Sequence, residues 1–126
     1  MQLIPSLQAA PADALVLANT ADVLALADDV RRAGVVVLNF PKWTDGRAYS
    51  QAVLLRGRLR YAGEIHATGD VLVDMLPLLR RCGFDAVQLR ADQNADTAQR
   101  TIGLFPGHYQ GDAAGGRPAA YAQQAA

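Results

Sequence analysis

Val35-Val36-Val37-Leu38-Asn39, running into Phe40-Pro41-Lys42-Trp43-Thr44-Asp45-Gly46, is the stretch that decides the fold. Residues 35–38 are continuously apolar and mostly β-branched. Such a run suits a strand buried on both faces, as in a parallel sheet. Phe40 opens a loop punctuated by Pro41 and Gly46. Upstream, residues 14–17 form a short apolar strand, and Leu3-Ile4 reads as a short edge strand. Asn19 or Thr20 is placed to cap a helix reaching about Ala33. Val23, Leu26, Ala27 and Val30 give that helix one apolar stripe. Asp22 lies in its first turn, Arg31 and Arg32 in its last, and Gly34 follows, the charge order that the helix dipole favours.

Downstream, residues 47–58 read as a second helix. Ala48, Ala52 and Leu55 line one face, with Tyr49 and Val53 beside them. A strand over residues 63–67 leads to a helix opened by Thr68 or Gly69. That helix carries Leu72, Met75, Leu76 and Leu79 and ends at Arg80-Arg81-Cys82-Gly83; Pro77 inside it is expected to kink it. Residues 84–89 form the next strand and 95–104 the last helix, with Phe105 and Tyr109 packing back. The alternation implies an α/β fold of about four βα units on a parallel sheet. Two arrangements satisfy it: an open layered sheet, or a half-barrel completed by a second copy as a homodimer. Residues 1–110 make a single domain. Residues 111–126, rich in Gly, Ala, Pro and Gln, are expected to be a disordered tail.

Composition excludes several function classes. With 12 basic and 12 acidic side chains, the formal charge is zero, so no general attraction draws the chain to nucleic acid or an anionic membrane. One cysteine, Cys82, cannot make an internal disulfide, a redox pair or a four-thiolate cluster. His66 and His108 lie far apart without metal-ligand spacing, so no metal is expected. No nucleotide-binding glycine pattern, Walker loop or nucleophile elbow is present, and no cofactor is expected. The start lacks the pattern of a signal peptide and no apolar stretch is long enough to span a bilayer. A cytoplasmic protein is the expectation.

Ligands of parallel α/β sheets bind at the carboxyl ends of the strands. Those ends are polar throughout: Asn19-Thr20; Lys42, Thr44, Asp45 and Arg47; His66, Thr68 and Asp70; Arg90 and Asp92. Lys42, Asp45, Arg47, His66 and Asp70 are therefore the candidate anion-binding residues, assisted by free amides at helix starts. Trp43, a loop aromatic, is the candidate partner surface. Each has a plainer structural role open to it. Thr44 and Asp45 suit helix caps, Arg47 suits a surface pair with Asp45, and Asp70 suits a helix dipole. His66 suits a hydrogen-bonded strand position, and Cys82 a small buried apolar one. Arg81 and Asp85, flanking Cys82-Gly83, suit a local ion pair. No catalytic residue is singled out.

Several of these pieces recur together. The series Asp45-Gly46-Arg47-x-x-Ser50-x-Ala52, Leu55-Arg56, Gly63-Glu64, Gly69-Asp70-Val71-Leu72-x-Asp74 and Arg81-Cys82-Gly83-Phe84-Asp85-Ala86 resembles the bacterial family catalogued as domain of unknown function 934. The resemblance runs from about Phe40 to Leu89, with a fainter echo at Phe105 and Tyr109-Gln110. The chain departs from the family pattern at Met75, where a glutamine is usual, and at His66, where an arginine is usual. Members are commonly encoded beside assimilatory sulfite reductase. The resemblance thus implies an oxidoreductase-associated accessory role in sulfur assimilation, with sulfite reductase as the partner. A small anion-binding enzyme, taking sulfite or sulfate at the strand ends, is the alternative.

Overall fold

The computed structural model describes residues 1–106. The expected tail, His108 and Tyr109 lie outside the described residues. Five parallel strands form one sheet: β1 (Gln2–Ile4), β2 (Leu15–Leu17), β3 (Val35–Phe40), β4 (Glu64–Gly69) and β5 (Ala86–Gln88). Their order is β1-β5-β4-β3-β2. The helices are α1 (Ala27–Arg32), α2 (Arg47–Gly57), α3 (Leu76–Cys82) and α4 (Ala95–Gly103), with a 3₁₀ turn, Val73–Met75, before α3. The open α/β layered architecture expected from the alternation is present.

Strands β2 to β5 lie side by side in chain order. Right-handed crossovers between successive neighbours all place their helices on the same face. One core cluster accordingly holds Leu17, Val36, Leu38, Phe40, Ile65, Ala67 and Val87 from that face, with Val30, Leu55, Leu76, Leu79 and Ile102 from the helical layer. The opposite face carries the other pleat phase. Its middle row reads Gln2, Ala86, His66, Val37, Val16 across the five strands. Among the described residues no helix covers this second face. Because β1 and β2 occupy opposite edges of the sheet, residues 5–14 must cross from one edge to the other. They do so as a helix-free strap, tied down where Gln88 Nε2 donates to the carbonyls of Pro5 (2.8 Å) and Gln8 (2.7 Å).

Several local expectations are corrected. Helix α1 starts at Ala27, not at Asn19 or Thr20, because the Asn19 side chain is engaged elsewhere. Asp22 instead accepts the Leu24 and Ala25 amides, holding residues 22–25 as a turn. Phe40 is the fully buried last residue of β3, not a loop residue; its ring meets Tyr49 edge-on at 5.0 Å. In α2 the buried face carries Gln51 while Val53 is exposed, since the Gln51 Nε2 amide donates to the Ala18 and Ala21 carbonyls (2.9 and 3.0 Å). Pro77 kinks nothing: it is the second residue of α3, where the missing N–H breaks no helical bond. Asn94 caps α4 by accepting the Thr97 amide at 3.0 Å.

At the amino ends of the strands the expected Arg81–Asp85 pair is replaced by a larger lock around Arg56. Its guanidinium donates to the carbonyls of Tyr61 and Gly63 (both 2.8 Å) and of Gly83 (2.8 and 3.1 Å), and to Asp85 Oδ2 (2.6 Å). Gly83 ends α3 at φ +107°, and a Cβ there would sit 2.6 Å from Arg56 Cγ. Much of the quoted family series (Arg56, Gly63, Gly83, Asp85) therefore serves this lock.

Candidate functional site

The carboxyl rim is built by three loops. At the end of β4, Gly69 turns the chain at φ +97°. It passes so close to β3 that a Cβ would collide with the Phe40 carbonyl and lie 2.6 Å from the Asn39 side chain. That turn delivers Asp70, whose amide donates to the Phe40 carbonyl at 2.7 Å. The Asp70 carboxylate then joins two loops. Its Oδ2 accepts the Trp43 amide (2.8 Å) and its Oδ1 accepts Arg90 Nη1 (2.7 Å). Arg90 is clamped from the other side by Asp92, at 2.6 and 2.9 Å. The Trp43 amide, and after it Arg90, hold the Asp70 carboxyl below the ordinary carboxylate value. Asp92 and Asp70 push Arg90 above its ordinary range, so it stays charged.

A second cluster joins the loop after β2 to the start of α2. Asn19 Nδ2 donates to Asp45 Oδ2 at 2.8 Å, while Asp45 Oδ1 accepts the Arg47 amide at 3.1 Å and faces Arg47 Nε at 3.3 Å. Asp45 thus serves the first turn of α2 from outside the helix, close to the capping role expected for it. The Arg47 amide, first among the causes, draws the Asp45 carboxyl below its ordinary value.

Among the sequence-derived candidates, the rim brings together Asp45 with Arg47 and Asp70 with the Trp43 backbone. Lys42 and Trp43 project from the same loop, and both are exposed. The Lys42 ammonium makes no ion pair among the described residues. His66 does not belong with them. Strand β4 continues to Gly69, two residues past its expected end, so His66 is a mid-strand residue on the helix-free face. There its Nε2 pairs with Glu64 Oε1 at 2.8 Å. Arg90 and Asn19, noted only as rim residues, turn out to hold the two acidic candidates. Glu64, the partner of His66, is not among the sequence-derived candidates. Its signal is the period-two alternation of Glu64-Ile65-His66-Ala67-Thr68, which puts the polar residues on one face. Among the described residues no group of three or more His, Cys, Asp or Glu is arranged to hold a metal ion. No helix among them is long and apolar enough to cross a membrane.

The fold and rim define a class: a singly wound, two-layer parallel α/β domain whose strand-end loops are locked by paired carboxylates and arginines. Within that class, the family model described as "Bacterial protein of unknown function (DUF934)" matches residues 14–120, and the chain belongs to that family. No curated protein and no solved structure matches it.

Proposed function

We propose that this protein is a cytoplasmic accessory component of assimilatory sulfite reduction. It acts by contact with a sulfite reductase and has no cofactor of its own. The genomic setting that the family resemblance implies supports the pathway. The observation that carries the contact mode is Trp43. Its side chain is 54% exposed on a loop whose backbone is fixed by Asp70. A large aromatic held out on an ordered loop loses little freedom on docking and suits the anchor of an interface. The rim carries Lys42, Arg47 and Arg90 against Asp45, Asp70 and Asp92, so it is neutral overall and favours a mixed polar rim over a concentrated anion trap. Co-purification with the reductase tests this reading. Trp43→Ala is expected to weaken the association about tenfold or more, whereas Val53→Ser on the exposed side of α2 leaves it unchanged. Failure of the wild-type pair to associate sinks the proposal.

A second reading is favoured by Lys42, whose exposed ammonium has no ion pair among the described residues beside the exposed Arg47. On this reading the rim binds a small anion such as sulfite or sulfate. Sulfate then raises the melting temperature, and Lys42→Ala and Arg47→Ala each remove the shift. The proposal also includes a homodimer, joined at the β2 edge of the sheet.

A further inference from the structure

The strap and the helix-free face of the sheet border a half-open cavity of about 470 Å³, within the range of small-molecule sites, with the Glu64 side chain 58% exposed at its mouth. Its walls are the aliphatic side chains of Ile4, Val16 and Val37 and the small residues of the strap. Its polar groups are Glu64, His66, Thr68 and the amides of Gln2, Gln8 and Gln88. Among the described residues that line it, Glu64 is the only formally charged one, and none is a lysine or arginine. The anions considered for the rim are therefore a poor match to this space.

The hydrogen bonds already formed decide what the lining offers. Gln88 uses its Nε2 protons on the strap carbonyls and keeps an acceptor oxygen. The Thr68 hydroxyl donates to the Leu38 carbonyl and keeps its lone pairs. An ionised carboxylate only accepts, so His66 Nε2 carries the proton shared with Glu64 Oε1. In the neutral ring this leaves Nδ1 as an acceptor. Glu64 Oε2 remains as a charged acceptor. We infer that the cavity between the 5–14 strap and the sheet binds a small organic ammonium compound, its cation held by Glu64 and its aliphatic body against Val16, Val37 and Ile4. A protonated amine supplies the positive charge that this lining lacks and donors to Glu64, Thr68 and Gln88; the Gln2 and Gln8 amides, which donate as well as accept, do not select the charge. The site lies on a different face from the Trp43 loop and does not depend on the reductase reading.

A matched pair of probes tests it: n-butylammonium and butyrate, which share an aliphatic chain and differ in the sign of the head group. Amide NMR titration of the full chain reads the site. Butylammonium is expected to give saturable shifts at Glu64, His66, Thr68 and residues 8–10, leaving Trp43 and Arg47 unmoved, while butyrate moves none of these. Glu64→Gln, which keeps the shape and removes the charge, should weaken binding about tenfold. Ala10→Trp fills the cavity from the exposed strap and should abolish binding with the fold retained by circular dichroism. If that variant misfolds, Glu64→Gln still decides. Equal shifts with butyrate, non-saturable shifts, or unchanged affinity in Glu64→Gln would overturn the inference.

Discussion

Gly69 shows how one residue ties the fold to the rim. Its positive φ and its contact with the Phe40 carbonyl leave no room for a side chain, so Gly69→Ala faces backbone strain and collision together. The left-handed region alone costs an alanine about 1–2 kcal/mol. We expect at least that loss in denaturant unfolding, together with loss of the Asp70–Trp43 hydrogen bond. Asp70 itself gives a pH signature. Its carboxyl ionises more readily in the folded chain than its ordinary value of 3.8 allows. A group of that kind contributes stability above the unfolded value, and the contribution disappears as the pH falls through the lower folded value. Asp70→Asn should therefore narrow the difference in melting temperature between pH 7 and pH 3 relative to wild type. An unchanged difference would show that the Trp43 amide does not favour the ionised form. Tyr61 gives the alkaline counterpart. Burial pushes its hydroxyl up to about 12, and the hydroxyl donates to the Ala33 carbonyl at 2.8 Å. Its contribution is complete below 10 and is lost as the pH climbs towards 12. Tyr61→Phe should cost about 1 kcal/mol at neutral pH and flatten that alkaline decline.

At the scale of elements, the Arg56 lock joins α2, the turn into β4 and the turn into β5 through one guanidinium. A lysine cannot reproduce this fork of donors. Arg56→Ala should lower stability by about 2–3 kcal/mol, measured by urea unfolding, because three carbonyls lose their donor, and Arg56→Lys should recover only part of that loss, because one ammonium cannot reach all three. Near-wild-type stability in Arg56→Lys would mean that a point charge suffices. The contrast between lock and rim also explains what the sequence made legible. The strands announced themselves through apolar runs such as residues 35–38, and the rim through polar residues after each run. The Arg56 contacts were hidden because they join positions up to 29 apart, and only folding reveals which carbonyls converge on one side chain. In sequence, Thr68 and Gly69 look like a helix opening, which puts His66 at the rim; pairing with Asn39 and Phe40 keeps both in the strand. Pro77 looks internal to a helix because the 3₁₀ turn before it continues the same apolar spacing as α3.

For the whole molecule, the strand order decides how a second copy could fit. A half-barrel dimer needs the helix-free faces of two copies to meet. Here the 5–14 strap already crosses that face and is pinned to Gln88, so two such faces would meet strap to strap. The edges remain. Strand β1 is three residues long, and its carboxyl end leads directly into the strap. Strand β2 is equally short, but its outer edge is unpaired among the described residues and Val16 is 59% exposed on the helix-free face beside it. An unpaired edge next to an exposed β-branched residue is where a copy of the same strand gains backbone hydrogen bonds and apolar burial together. A dimer through β2 would extend the sheet across a two-fold axis and leave both Trp43 loops accessible. Light scattering at low micromolar concentration is expected to give twice the chain mass of 13.4 kDa. Val16→Lys places a charge beside that edge and should shift the population to the monomer while leaving far-ultraviolet circular dichroism unchanged. A wild-type monomer would remove the dimer from the proposal and leave the β2 edge for the reductase. A dimer unaffected by Val16→Lys would move the contact away from β2.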